Sequence, residues 1–192
     1  MTTDALLGRV ALESPDEAEF EALFLAHYDE VYRLLFRIVG SRQEAEDLAQ
    51  ETFLRLYRQR FPVDRERNMR AWLYRVATNL GLNALRGRRR REQRIAAAAH
   101  QATAISDSPL DPAEAALRRD EREAVRRVLA GLPPRQAKLL LLRHAGLTYR
   151  ELADAIGVAP GSVGTLLARA MAAFEQAYRA EVVGLEQGMG DS

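Results

Sequence analysis

The chain has 192 residues, of which 47% are apolar and 29% charged, a composition typical of globular proteins rather than disordered ones. It contains no cysteine, which excludes disulfides and thiol catalysis, and its three histidines lack the spacing of a metal site. No apolar run approaches the roughly 20 residues that span a bilayer, and the first residues do not resemble a signal peptide. We therefore expect a cytoplasmic protein with no membrane insertion and no metal.

Helical periodicity dominates the sequence. Apolar residues recur at steps of three and four over 17–39, which predicts an amphipathic helix. A capping-box pattern at 41–44 opens a second helix that runs to about residue 60 and has Tyr57 on its predicted buried face. The proline-containing segment 61–64 ends this helix, and a third helix is predicted over about 69–86.

The second predicted helix also has a polar face opposite its apolar one. This face combines one leucine with charged and amide side chains: Asp47, Gln50, Glu51, Leu54 and Arg58. One exposed leucine is ordinary on a protein surface, so the face is either a docking surface for a protein or simply solvated.

The formal net charge of +1 hides an uneven distribution. Residues 65–94 carry 10 Arg and 2 Glu, a net charge of +8. Such a block suits a polyanionic partner, whereas a merely solvated helix face usually interleaves both signs. We favour nucleic acid as the partner of this segment.

One face of the third helix repeats polar and aromatic side chains at steps of three and four residues. They are Trp72, Arg75, Asn79, Asn83, Arg86 and Arg90, which share a face if the helix continues. Such a stripe can stack on an unpaired base, contact base edges and hold phosphates. Trp72 alone is equally well explained as a core anchor, but the whole stripe favours nucleic-acid binding.

The chain is predicted to be all-α, with two small helical bundles joined by a flexible linker. Little apolar periodicity is present from 87 to 112, where an arginine cluster gives way to a Ser- and Pro-containing segment. We assign residues 17–91 to the first bundle, 92–112 to the linker and 113–182 to the second bundle.

The second bundle contains a helix-turn-helix pattern at about 147–166. A capping box at 148–151 opens a short helix, Gly157 closes it, and a second amphipathic helix follows. The alternative is an ordinary helical hairpin, but the glycine at the turn favours the DNA-binding motif.

Three segments occur in an order and spacing that resemble the extracytoplasmic-function (ECF) sigma factors of bacterial RNA polymerase. They are DLAQETFLRLY at 47–57, AWLYRVATNL at 71–80, and LPPRQ at 132–136 followed by the helix-turn-helix. The resemblance covers about 17–91 and 113–180. It implies a transcription initiation factor with no catalytic residue and no cofactor, whose partners are core RNA polymerase, promoter DNA and an anti-sigma factor.

The resemblance also implies roles for individual residues. The polar face of the second helix would bind polymerase. The residues that would open and capture the minus-ten promoter element are Arg70, Trp72, Arg75, Asn79, Asn83, Arg86, Arg88, Arg89, Arg90 and Arg91. Those of the helix-turn-helix that would contact DNA are Ser162, Thr165 and Arg169.

Two departures from the family pattern are visible. Asn83 stands where an aspartate is common, and Gly164 and Leu166 stand where the recognition helix usually carries basic residues. The neutral second bundle keeps an alternative open, in which the chain is a sigma-like decoy that binds a regulator. A nuclease would need clustered carboxylates or a histidine-based site, and the sequence presents neither convincingly.

Overall fold

The computed structural model describes residues 17–58, 65–98 and 112–189. These residues form seven α-helices and one short 3-10 turn at Pro160–Ser162. The helices are α1 (Glu17–Val39), α2 (Arg42–Arg58), α3 (Arg65–Ala98), α4 (Pro112–Gly131), α5 (Pro134–His144), α6 (Tyr149–Ile156) and α7 (Val163–Met189). No strand occurs within the described residues, so the all-α prediction is confirmed. The predicted helix end at 61–64 lies outside them.

Helices α1, α2 and α3 pack around one apolar core, which we call the first unit. Its fully buried side chains include Leu35, Phe53 and Leu73, one from each helix. The ring of Phe53 meets the ring of Phe24 edge-on, with centroids 4.9 Å apart. The prediction that Tyr57 lies on the buried face of α2 is wrong, because Tyr57 is 44% exposed, although its ring meets the Phe20 ring edge-on with centroids 5.3 Å apart.

Helices α1 and α3 pack tightly against each other at Gly81. A Cβ atom at this position would lie 2.9 Å from Cγ2 of Ile38, a side chain that is completely buried. Glycine is therefore needed here for space, since its backbone conformation is ordinary helix.

This close approach predicts opposite effects for two glycines of the same helix. Gly81→Ala is expected to destabilise the protein by about 1–3 kcal/mol, because Ile38 has no room to move. Gly87→Ala is the matched control: nothing lies within 4 Å of a Cβ there, so we expect a gain of about 0.5–1 kcal/mol. Chemical denaturation of both variants measures the difference. Equal effects would contradict the close packing of α1 on α3.

Helix α3 is longer than predicted. It continues through Gly87 and the arginine cluster to Ala98, so residues 92–98 are helical rather than part of a linker. Arginine and alanine are strong helix formers, which offsets the weak apolar periodicity of this segment. The remainder of the predicted linker, 99–111, lies outside the described residues. The polar stripe of α3 is consequently carried by one uninterrupted helix.

The second unit consists of α4 to α7, and its core includes Leu139, Leu142 and Leu152. The predicted capping box at the start of α6 is present: Thr148 Oγ1 accepts a hydrogen bond from the Glu151 N–H, and the Thr148 N–H donates to the Glu151 carboxylate at 2.7 Å. Gly157 ends α6 with φ +69°. The chain then turns by 101° between α6 and the segment Pro160–Val183, an angle in the range of helix-turn-helix motifs.

The cap of α6 should make stability depend on pH. Burial raises the pKa of Glu151, but the backbone and side-chain hydrogen bonds from Thr148 outweigh burial and bring the pKa below its ordinary value. A carboxylate with a lowered pKa stabilises the fold above its unfolded-state pKa, and this contribution is lost as the pH falls through the folded-state value. We expect Thr148→Ala to cost about 1 kcal/mol at neutral pH, and its difference from wild type to shrink in acid.

Denaturation curves at neutral and acidic pH measure this difference. The control is Thr165→Ala, since Thr165 is exposed and caps no helix. A Thr148→Ala deficit that stays constant in acid would contradict the role of the Glu151 carboxylate.

Candidate polymerase and nucleic-acid interfaces

The polar face of α2 is on the protein surface. Leu54 is 40% exposed, Asp47, Gln50 and Arg58 are exposed, and Glu51 is partly buried. Glu51 also accepts a hydrogen bond from Arg55 Nε at 2.8 Å. The opposite side of α2 is anchored in the first unit by Phe53, so this face is held rigidly toward solvent.

The predicted stripe on α3 does not face solvent along its whole length. Asn83, Arg90 and Arg91 are exposed, Arg75 and Asn79 are partly buried, and Trp72 is buried. Since Trp72 is only 9% exposed, its indole is not available to stack on a base in this arrangement. The interpretation of Trp72 as a core anchor fits this burial.

Two of the predicted DNA-contacting arginines hold the first unit together. Arg88 donates to the Val39 carbonyl at 3.2 Å and forms an ion pair with Glu44. The predicted capping box at the start of α2 is therefore only half formed. The Glu44 N–H donates to Ser41 Oγ at 3.4 Å, while the Glu44 carboxylate pairs with Arg88. Arg70 lies 3.4 Å from Glu30, linking α3 to α1.

Tyr74 belongs to the same contact between α1 and α3, although no pattern in the sequence marks it as a contact residue. Its hydroxyl donates to Glu30 at 3.0 Å, and the Arg70 guanidinium lies 5.0 Å above its ring. Desolvation, with the hydrogen bond to Glu30 and the charge of Glu30, raises the pKa of the Tyr74 hydroxyl even though Arg70 opposes the shift. Tyr74 is therefore neutral and acts as a donor.

Arginines of α3 also contact the second unit. Arg86 donates to the Leu132 carbonyl and Arg89 to the Arg127 carbonyl, both at 3.2 Å, and Arg70 reaches the Ala145 carbonyl at 3.5 Å. Desolvation and the neighbouring Arg90 lower the pKa of Arg86. In this arrangement, part of the predicted nucleic-acid surface is covered by the second unit.

Two glycines at helix ends permit this approach. The Arg126 guanidinium lies against Gly40, and the Arg89 guanidinium lies against Gly131, each where a Cβ atom would otherwise stand. Gly40 also has φ +78°, a conformation that favours glycine. Both glycines can be recognised in the sequence as helix ends, but nothing in the sequence identifies the arginines that contact them.

The start of α7 has a stripe of small residues that faces outward. Thr165, Ala168 and Ala172 are exposed, and Ser162 and Arg169 are exposed beside them. The buried side is formed by Val163, Leu167 and Ala170. Thr165 is thus the one side chain of this outward stripe that can hydrogen-bond to a base edge.

The described residues contain no group of three or more His, Asp or Glu side chains arranged to hold a metal ion. No single described helix is long and apolar enough to cross a membrane, and the one pair that passes on length and composition is sharply bent.

Comparison with known proteins gives matches to both units. Residues 23–91 match the Sigma-70 region 2 family and residues 122–174 match the Sigma-70 region 4 family. The RNA polymerase sigma-H factor of Pseudomonas aeruginosa is 32% identical, over 85% of this chain and 88% of that protein. The ECF RNA polymerase sigma factor SigG of Mycobacterium tuberculosis is 36% identical, over 77% of this chain, which spans about half (46%) of SigG.

Two solved structures share the fold. The sigma factor RpoE of Bartonella quintana, solved in complex with the anti-sigma factor NepR, gives a TM-score of 0.52 at 22% identity, covering 84% of this chain and 97% of that one. CnrH, solved with the cytosolic domain of CnrY, gives 0.55 at 19% identity, covering 87% and 92%. Together with the matches in sequence, these findings confirm the resemblance: the chain belongs to the ECF sigma factors of bacterial RNA polymerase.

Proposed function

We propose that this protein is a transcription initiation factor that binds core RNA polymerase and directs it to promoters, where it recognises and melts the minus-ten element. The observation that carries the proposal is the combination of three surfaces in one chain: the exposed polar face of α2, the arginine-rich α3 and the helix-turn-helix of α6 and α7. This role needs no bond chemistry and no cofactor, and it places the protein in the bacterial cytoplasm.

The α2 face supports polymerase binding. A partly exposed leucine surrounded by acidic, amide and basic side chains offers apolar contact area with a charged rim, as protein interfaces do. Phe53 and Leu56, buried on the opposite side of α2, hold this face in position. Docking on this face therefore avoids the entropic cost of ordering a loop.

Helix α3 supports capture of a DNA strand. Arg90 and Arg91 are exposed beyond the contact with the second unit, and exposed arginines bind phosphates whatever the base sequence. Asn79 and Asn83 are one helical turn apart and can hydrogen-bond to base edges. This combination of a basic track with amide groups suits a strand whose bases have been unpaired.

We expect promoter selectivity to reside mainly in the minus-ten element. The outward stripe of α7 offers no Arg, Asn or Gln for a bidentate base contact, each of which supplies about 1–3 kcal/mol of discrimination. Randomising the minus-ten bases should therefore reduce transcription far more than randomising the minus-thirty-five bases. In vitro transcription from the two promoter libraries measures both effects. A larger loss from the minus-thirty-five library would contradict this assignment.

We also propose an anti-sigma factor as a further partner. The solved structure of RpoE contains the anti-sigma factor NepR. Co-purification of this protein from its own cells, followed by identification of the bound proteins, tests the proposal. Recovery of polymerase alone would contradict it.

Run-off transcription with core polymerase tests the main proposal. We expect promoter-specific transcripts that depend on this protein. The double variant Asp47→Arg, Glu51→Arg should lose co-purification with core polymerase, whereas the control Glu175→Arg, at an exposed position of α7, should retain it. Polymerase binding without transcripts would instead indicate a decoy, and unchanged binding of the double variant would refute the α2 face.

A further inference from the structure

A cleft of about 480 Å³ lies between the two units. One wall is formed by α3, with Asn79, Asn83 and Arg86, and the other by the start of α5 and the end of α6. Clefts of this volume are in the range of small-molecule sites. Arg135 and Lys138, which line the α5 wall, belong to none of the surfaces assigned above.

The charged lining of the cleft is entirely cationic. It consists of Arg55, Arg86, Arg135 and Lys138, and none of the lining residues carries a carboxylate. Among the described residues only Arg55 of these four forms an ion pair, with Glu51 on its own helix. The hydrogen bond from Arg86 goes to a neutral carbonyl. The cleft therefore carries positive charge that its own walls do not neutralise.

Partial burial makes this charge costly. Desolvation and repulsion from Arg75 lower the pKa of the Lys138 ammonium group, as desolvation and Arg90 do for Arg86. Arg86 and Lys138 are both partly buried, and a cation held partly out of water destabilises the arrangement that holds it. An anion in the cleft would offset this cost on both walls at once.

We propose that the cleft binds a small phosphate-bearing anion of the size of a nucleoside di- or triphosphate. Guanidinium and ammonium groups are the usual ligands of phosphate oxygens in proteins. Leu82, Pro134 and Ile156 supply apolar surface for the remainder of the molecule, and the two asparagines supply amide groups. A nucleotide matches this mixed lining better than free phosphate alone.

Such a ligand would contact α3 and α5 together, so it would stabilise the arrangement in which the units touch. Because that arrangement covers part of α3, the bound anion would oppose promoter binding; this consequence rests on the proposed function, whereas binding itself does not. Phosphates of a DNA backbone share the same chemistry, so the experiment must separate the two sources.

Calorimetric titration of the full-length protein with magnesium-free ATP, and separately with pyrophosphate, tests the proposal. We expect one saturable site for ATP. Arg135→Gln and Lys138→Gln should each weaken binding about tenfold or more. The matched control is Arg94→Gln, which removes the same charge from an exposed position of α3 outside the cleft and should leave binding unchanged. Thermal unfolding of each variant establishes that it is folded.

Equal weakening by the control would show a general charge effect and overturn the proposal, as would ATP binding that is indifferent to Lys138. A single-stranded oligonucleotide separates the sources: its binding should not depend on Lys138. If ATP fails to bind and the oligonucleotide binds Lys138→Gln more weakly than wild type, the cleft binds phosphates of the DNA backbone and the proposal is wrong. No polymerase or promoter is present in this assay, so its failure would leave the proposed function intact.

Discussion

Joining residues 89 and 131 covalently is expected to abolish promoter melting. The Arg89 guanidinium lies against Gly131, so a thiol-specific cross-linker of arginine length would hold the two units together in the variant Arg89→Cys, Gly131→Cys. The chain has no other cysteine, which makes the cross-link unique. Since α3 would then stay partly covered, we expect core polymerase to bind the cross-linked protein without opening DNA. Permanganate reactivity of unpaired thymines in the minus-ten region measures opening.

Two controls accompany this prediction. Each single cysteine variant treated with the same reagent should open DNA like its untreated form, and a longer flexible cross-linker should restore opening to the double variant. Normal opening by the short-linked protein would mean that the contacts of Arg86 and Arg89 with the second unit do not restrict α3.

Phe53 and Leu54 are neighbours in sequence, yet their replacement should have different consequences. Phe53→Ala removes a ring that is 2% exposed and packs against Phe24, so we expect a loss of about 3–5 kcal/mol in unfolding free energy. Leu54→Ala removes a side chain that is 40% exposed and should change stability by no more than about 0.5 kcal/mol, while weakening polymerase binding.

Urea denaturation and co-purification with core polymerase, performed on both variants, separate the two roles. The assignment of α2 would fail if Leu54→Ala kept full polymerase affinity, and the packing of the first unit would be misjudged if Phe53→Ala unfolded at the wild-type urea concentration.

Local structure was predictable wherever neighbouring residues decide it. The bounds of α1, the cap of α6 at Thr148 and the turn at Gly157 follow from periodicity, a capping box and a left-handed glycine, all of which are readable over a few positions. The length of α3 was not predictable in this way, because the arginines that follow Gly87 have high helix propensity but form no apolar stripe.

Contacts between distant residues were the part that the sequence concealed. Trp72 lies on the same helical face as the arginines, and spacing alone does not indicate whether that face meets solvent or protein. The approach of Arg126 to Gly40 joins positions far apart in the chain, and no local pattern encodes it. The polar face of α2 was easier to predict, because it lies opposite an apolar face whose spacing is visible in the sequence.

The three arginines that join the units donate to main-chain carbonyls of Leu132, Arg127 and Ala145. A carbonyl carries no net charge, so ionic strength weakens these hydrogen bonds little. The family resemblance implies that the same guanidinium groups bind DNA phosphates, and such binding would release counterions and weaken steeply as salt rises. We therefore expect a rise in salt concentration to shift these arginines from DNA toward the second unit, so that, under the proposed function, ionic strength sets how much of the protein has α3 free for a promoter.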